Sequence, residues 1–323
     1  MTSRILSFFS CLLILIVSVG LSGCAALKNV ENLFKKSEYE KIMEQQKQRQ
    51  RALSAAEEDA SKKIPEMTAR NYEEMGDNYL RQGDIDKAFV QYANALRLEP
   101  GQAGVHYKMG CLFLSKGISE EAKKEFQQIL NNDPNNALAY EGMGRVFLKK
   151  GNFEEAEKNL RQAISFKEDL WQAHNFLGIL YDYQRQFGAA ITEYTAAIAL
   201  NPRESSLFNN LGMAYYLSGE YEKAANALTE ALKMGGTTSK ICNNLALALF
   251  KVGRFEEALG VFKKGGDEAA AYNNIGYLFL IEGKYDEAIK SFEKAIELNP
   301  KFYIKAHENM KKAEEAAHIS RRQ

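Results

Sequence analysis

Two sets of side chains in this sequence carry chemistry. The first is a single thiol. Cys24 follows Leu21-Ser22-Gly23 at the end of an apolar run from Ile5 to Leu21. Small residues ahead of a cysteine leave the preceding peptide bond open to cleavage, and the thiol is a nucleophile able to accept a lipid. The second set is a row of carboxamides. Asn175, Asn209, Asn243 and Asn273 recur along the chain, and Asn210, Asn244 and Asn274 directly follow the last three. A primary amide donates and accepts at once, so a spaced row of Asn can hold the backbone of an extended peptide whatever its side chains. Tyr216, Phe250 and Tyr277, with Ile179, Met213, Leu247 and Leu280, lie one or two helical turns away and offer apolar surface that adapts to a ligand. The competing use of these Asn is to cap or solvate a loop.

No other constellation points to catalysis or to a metal. His106 and His174 stand at packing positions of a helix, and His307 and His318 belong to the last stretch of chain. His307-Glu308 is followed by Lys311 where a zinc-protease helix needs histidine, and Gly142-Met143-Gly144 runs on to Phe147 without a third glycine. A non-enzymatic protein with no metal, no small-molecule substrate and no cofactor is expected. With 42 basic and 42 acidic residues the net charge is zero, which gives nucleic acid no field to follow.

Arg4 is the one charge before the apolar run, the layout of a secretory leader. Leu21-Ser22-Gly23-Cys24 resembles the bacterial lipobox. That resemblance implies a signal peptide over residues 1–23, removed so that Cys24 becomes the N-terminus, with a diacylglycerol on its thiol and an acyl group on its amine. Two or three chains at ~0.8 kcal/mol per buried methylene make a firm anchor. Ala25 stands where an Asp would resemble an inner-membrane retention signal, so the expected place is the outer membrane, facing the periplasm. Cys111 and Cys242 remain, too far apart along a repeat array to pair, and both read as buried thiols.

Residues 24–68 read as a lipidated, charged, partly helical tether. Val30, Leu33, Phe34, Ile42, Met43 and Leu53 are too sparse for a core of their own, and no sustained heptad supports a coiled coil.

From Ala69 a pattern recurs every 34 residues. Tyr72, Met75, Gly76, Tyr79, Gly83, Ala88, Tyr92, Ala95 and Pro100 fall at positions 4, 7, 8, 11, 15, 20, 24, 27 and 32 of the first unit. Position 20 reads Ala88, Ala122, Ala156, Ala190, Ala224, Ala258 and Ala288 without exception. Small residues at 8 and 20 let two helices cross closely, and glycine at 15 turns the chain between them. These positions resemble the tetratricopeptide repeat, which implies an all-α, right-handed superhelical solenoid. Seven repeats are expected over 69–302, at 69–102, 103–136, 137–170, 171–204, 205–238, 239–268 and 269–302, the sixth four residues short. Residues 303–323 read as a capping helix and tail. In this fold positions 2, 5, 6, 9, 12 and 13 of each first helix face the concave groove. Repeats 1 and 3 would then present charges there, Glu73, Asp77, Glu141 and Arg145 among them, and repeats 4 to 7 the Asn row.

The lipobox, the repeats and the ending Asn299-Pro300-Lys301-Phe302-Tyr303 together resemble the TadD family of tight-adherence (Flp) pilus lipoproteins. That implies a scaffold binding secretin or pilus-assembly subunits in the manner of a pilotin. The alternatives are a pilotin of type IV pili or type II secretion, an adaptor docking a periplasmic protease or peptidoglycan enzyme, and an assembly factor for outer-membrane proteins.

Overall fold

Two small residues 12 positions apart in every 34-residue unit of paired amphipathic segments demand helices packed two by two, and helices are all the regular structure present among the described residues. The computed structural model describes residues 40–48, 67–235, 238–299 and 303–321. The leader, Cys24 and most of the tether lie outside these.

The helices are α1 (40–48), α2 (Ala69–Arg81), α3 (Ile85–Leu98), α4 (Ala103–Ser115), α5 (Ser119–Asn132) and α6 (Ala137–Lys150), then α7 (Phe153–Phe166), α8 (Trp171–Tyr183), α9 (Phe187–Leu200), α10 (Ser205–Leu217), α11 (Tyr221–Lys233), α12 (Ser239–Lys251), α13 (Phe255–Gly265), α14 (Glu268–Ile281), α15 (Tyr285–Leu298) and α16 (Tyr303–Ser320). They form two compact bodies that divide between Asn152 and Phe153, within the third repeat.

Within each body the paired helices close on one side chain. Position 24 holds Tyr92, Phe126, Leu160, Tyr194, Leu228, Phe262 and Phe292, all buried, and the seven alanines at position 20 are wholly buried. A side chain of this size withdrawn from water contributes about 1.5–3 kcal/mol. The glycine at position 8 makes room for it: a Cβ on Gly178 would sit 2.5 Å from the Tyr194 ring, and one on Gly212 2.5 Å from Leu228 Cγ.

The turn between paired helices is the same in all seven repeats. The N–H at position 16 bonds the C=O at position 11, from Asp84 to Tyr79 at 2.9 Å through Lys284 to Phe279 at 2.9 Å. That closure places position 15 in the left-handed region. Glycine occupies it in six repeats, but the fourth has Arg185 at φ 59°.

Repeat 6 is the irregular one. Its second helix, α13, has 11 residues where its neighbours have 13 and 14. Gly265 ends it close against Cys242, and the Ser239 hydroxyl donates to the Gly265 carbonyl. After α15, helix α16 lays Ala306, Asn309, Ala313 and Ala317 on the preceding repeat and exposes Lys305, Glu308, Lys311, Lys312, Glu314 and Glu315.

The described part of the tether is more than a solvated spacer. Residues 40–48 are helical, and Met43 packs on the core of the N-terminal body beside Phe113 and Ile118.

Candidate functional site

Position 5 of each first helix is where the groove reading and the structure part. In the C-terminal body Asn175, Asn209 and Asn273 are buried, at 9%, 4% and 2% exposure. They do not line a groove surface. Asn175 and Asn209 each accept a hydrogen bond from the next first helix along the chain, because position 6 there comes to lie over position 5. Asn210 Nδ2 donates to Asn175 Oδ1 at 3.0 Å, and Asn244 Nδ2 donates to Asn209 Oδ1 at 2.8 Å. Asn209 Nδ2 in turn donates to Asn210 Oδ1 at 3.3 Å. Four side-chain amides therefore run unbroken across repeats 4, 5 and 6. Asn309 of α16 closes a further pair on Asn273 at 3.2 Å, both buried.

The other members of the expected site separate. Asn210, Asn244 and Asn274 are half-buried, while Asn243 is exposed. Tyr216 is half-buried with its ring 5.3 Å from that of Tyr221. Phe250 is a core residue and not a groove contact: its ring stands 4.9 Å from Phe255 and 5.0 Å from Phe279, and it is 4% exposed. Tyr277 is exposed, with Ile281 one turn on at 58%. Ile179, Met213, Leu247 and Leu280 are half-buried. Cys24 lies outside the described residues.

The N-terminal body fills the same grid with charge. Lys108, at position 6, reaches back to Glu73 and Asp77, both at 2.7 Å, and Tyr92 Oη donates to Asp77 at 2.6 Å. Burial works against the Asp77 carboxylate, but the bonds from Lys108 and Tyr92 hold its pKa below the usual value. Tyr107 Oη donates to Glu141 at 2.8 Å across one repeat. Glu141 is fully buried, not displayed in the groove, and burial pushes its pKa up against the opposing pull of Arg145 and Tyr107. Arg145 also donates to Cys111 Sγ at 3.2 Å. Cys111 is thus only half-buried, whereas Cys242 is buried as expected, and the two thiols are free.

Histidines 106 and 174 are packing residues, each beside a glutamate, and His106 Nε2 also lies 2.8 Å from the Pro100 carbonyl. Their Nδ1 atoms lie 2.6 and 2.7 Å from Glu125 and Glu193 on the paired helix. Among the described residues no His, Cys, Asp and Glu gather as a metal site requires, and no helix is long and apolar enough to cross a membrane. What the first helices of repeats 4 to 7 offer is a neutral surface of amides and apolar side chains.

Comparison with known proteins bears on this arrangement. Models of the tetratricopeptide repeat match residues 93–169, 177–237, 238–265 and 269–302, together more than half of the chain. No curated protein sequence matches the chain. Among solved structures it is similar to PilW, a widely conserved type IV pilus biogenesis factor, at 18% identity over 62% of this chain and 96% of that one, TM-score 0.53. It is also similar to PilF of Pseudomonas aeruginosa, at 20% identity over 61% of this chain and 92% of that one, TM-score 0.50. A thermophilic repeat protein of Thermus thermophilus matches at 18% identity over 59% of this chain and 99% of that one, TM-score 0.50. At these identities the likeness is one of fold. With seven closures of the same turn, seven alanines at one phase and four matching models, the chain belongs to the tetratricopeptide repeat family, whose repeats are scaffolds for protein–protein interaction.

Proposed function

We propose that this protein is a non-enzymatic, lipid-anchored scaffold that holds a peptide segment of a pilus or secretion-machine subunit, a secretin among them, and helps it reach or assemble in the outer membrane. The observation that carries the reading is the change of chemistry between the two bodies. Positions 5 and 6 hold the Lys108–Glu73 ion pair and the Tyr107–Glu141 bond in the N-terminal body, and linked neutral amides in the C-terminal one. Beside those amides the same helices keep Ile179, Met213 and Leu247 half-buried and leave Tyr277 and Ile281 exposed. A neutral face with apolar sockets and scattered amides suits a polypeptide better than a nucleic acid or a phosphorylated ligand.

The lipid on Cys24 would hold this face near a membrane, and the repeats leave the chain no evident catalytic task. The fold shared with PilW and with PilF of Pseudomonas aeruginosa agrees with a place in pilus assembly.

The test is to crosslink the lipidated protein in its native membranes and identify what it holds. The proposal expects secretin or pilus-assembly subunits, lost when Cys24→Ser removes the lipid attachment. Recovery of neither class from the membranes overturns it.

A further inference from the structure

Position 16, where each second helix begins, is polar in six repeats, held by Asp84, Asn152, Gln186, Glu220, Arg254 and Lys284. In repeat 2 it is Ile118, which makes no side-chain bond to the helix it starts. Asp84 shows what is forgone, since its carboxylate accepts the Lys87 N–H at 3.1 Å. An isoleucine there gives up the cap and would hold an apolar side chain out to water. Ile118 is instead half-buried, and α1 lies beside it. Met43 packs on the same core, where the Phe113 ring stands 5.4 Å from that of Phe89.

Helix α1 carries the matching pattern. Ile42, Met43 and Gln46 are half-buried and share one face, while Glu40, Lys41, Glu44, Gln45, Lys47 and Gln48 are exposed. A segment this short does not hold a helix by itself, since even ~12–15 residues are marginal in water. The helix therefore forms as it docks. The contact is also light, for a cleft of about 420 Å³ remains between α1 and the turn, bordered by Glu44, Lys47 and Glu121. A few half-buried side chains set against the ordering of a whole segment leave a small balance, so α1 lifts off and refolds.

We infer that α1 is a reversible strap: it folds onto the Ile118 socket of repeat 2 in its own chain and, docked, limits how far the repeats stand from the N-terminal anchor. The docking rests on α1 and repeat 2 alone, and the reach rests in addition on the lipid proposed for Cys24. Cys24 stands 16 residues before Glu40 and 45 before Ala69. At about 3.4 Å per residue those lengths span at most about 55 Å and about 155 Å. Docking withdraws most of the leash and keeps the N-terminal body near the membrane, and release lets it travel.

The test is hydrogen exchange on the full chain, read by mass spectrometry, in the parent and in Ile118→Asp. The Asp restores a cap of the kind Asp84 makes, so the variant should melt no lower than the parent. Amides of residues 40–48 should exchange about tenfold more slowly than an unfolded chain in the parent, and at the unfolded rate in the variant. Met43→Glu should release α1 from the other side of the contact. For the reach, the chain lipidated on Cys24 is placed in vesicles with a headgroup-labelled acceptor, and a donor dye is carried on an unnatural residue at the exposed Lys124. Energy transfer should fall in both variants. Unfolded-rate exchange of 40–48 in the parent overturns the strap, as does a lower melting temperature in Ile118→Asp with α1 still protected. Protection that grows with protein concentration overturns it too, because α1 then docks on a second copy. Released amides with unchanged transfer overturn the reach alone. A Cys24 found without lipid overturns the reach together with the lipid reading and leaves the docking in place.

Discussion

Asn210 Nδ2 donates to Asn175 Oδ1 at 3.0 Å across the boundary of repeats 4 and 5, and Asn175 is 9% exposed. A buried acceptor deprived of its donor loses more than the bond is worth. Asn210→Ala should therefore destabilise the protein by about 1–3 kcal/mol in urea denaturation. Asn274→Ala, which removes an amide with no partner, should leave the same curve within about 0.5 kcal/mol. Equal losses in the two variants would show that the amide chain does not bind the repeats together.

Gly178 tests the close crossing of α8 and α9. A Cβ there would stand 2.5 Å from the Tyr194 ring, whose hydroxyl is fixed by a 2.7 Å bond to Asp182. With the ring unable to move aside, Gly178→Ala should cost about 1–3 kcal/mol, the usual range for overfilling a packed site. Gly188→Ala is the control, since nothing lies within 4 Å of its added Cβ.

Arg185 occupies the left-handed turn that glycine fills in the other six repeats. Its side chain is exposed, so little packing is lost with it. Arg185→Gly should stabilise the C-terminal body by about 1 kcal/mol, the penalty of a Cβ in that region offset in part by the entropy of an added glycine. A lower melting temperature in the variant would mean that Arg185 makes a contact worth more than the strain.

Glu141 sets a pH dependence in the N-terminal body. Burial raises its pKa, which means that the folded state binds the proton more tightly than the unfolded chain does. Its contribution is therefore greatest below the ordinary carboxylate range and is lost as pH rises through the raised value. Glu141→Gln, neutral at every pH, should be more stable than the parent at about pH 8, and the gap should close toward about pH 5. His106 adds a slope of the same sign, because its bond to Glu125 raises its pKa. A gap that widens on acidification would contradict the assignment.

The repeat was legible because its signals lie within one helix pair: the space opposite Tyr194 requires Gly178, and Ala190 is needed at the same crossing. What escaped lies between pairs. Whether Asn175 faces a groove or a neighbour depends on how adjacent first helices are offset, and the 35-residue step from Asn175 to Asn210 shows its meaning only when both helices are placed. Phe250 read as a groove residue by position, yet the short repeat 6 turns it into an aromatic cluster with Phe255 and Phe279. Glu141 read as a displayed charge, but the Tyr107 hydroxyl from the preceding repeat accompanies it into the core. Met43 gave no sign of docking, since one apolar residue on a charged segment sets no period. Arg185 could have been noticed from sequence alone, by comparing position 15 across the repeats.

The central claim is that the first-helix face of repeats 4 to 7 holds a protein partner. Photocrosslinking residues placed singly at Met213, Leu247 and Tyr277, and at the exposed Lys158 of α7, test it most directly in intact membranes. The account predicts adducts with one and the same pilus or secretion subunit from the first three positions and none from the fourth. Adducts from Lys158 with none from Met213, Leu247 and Tyr277 would contradict it.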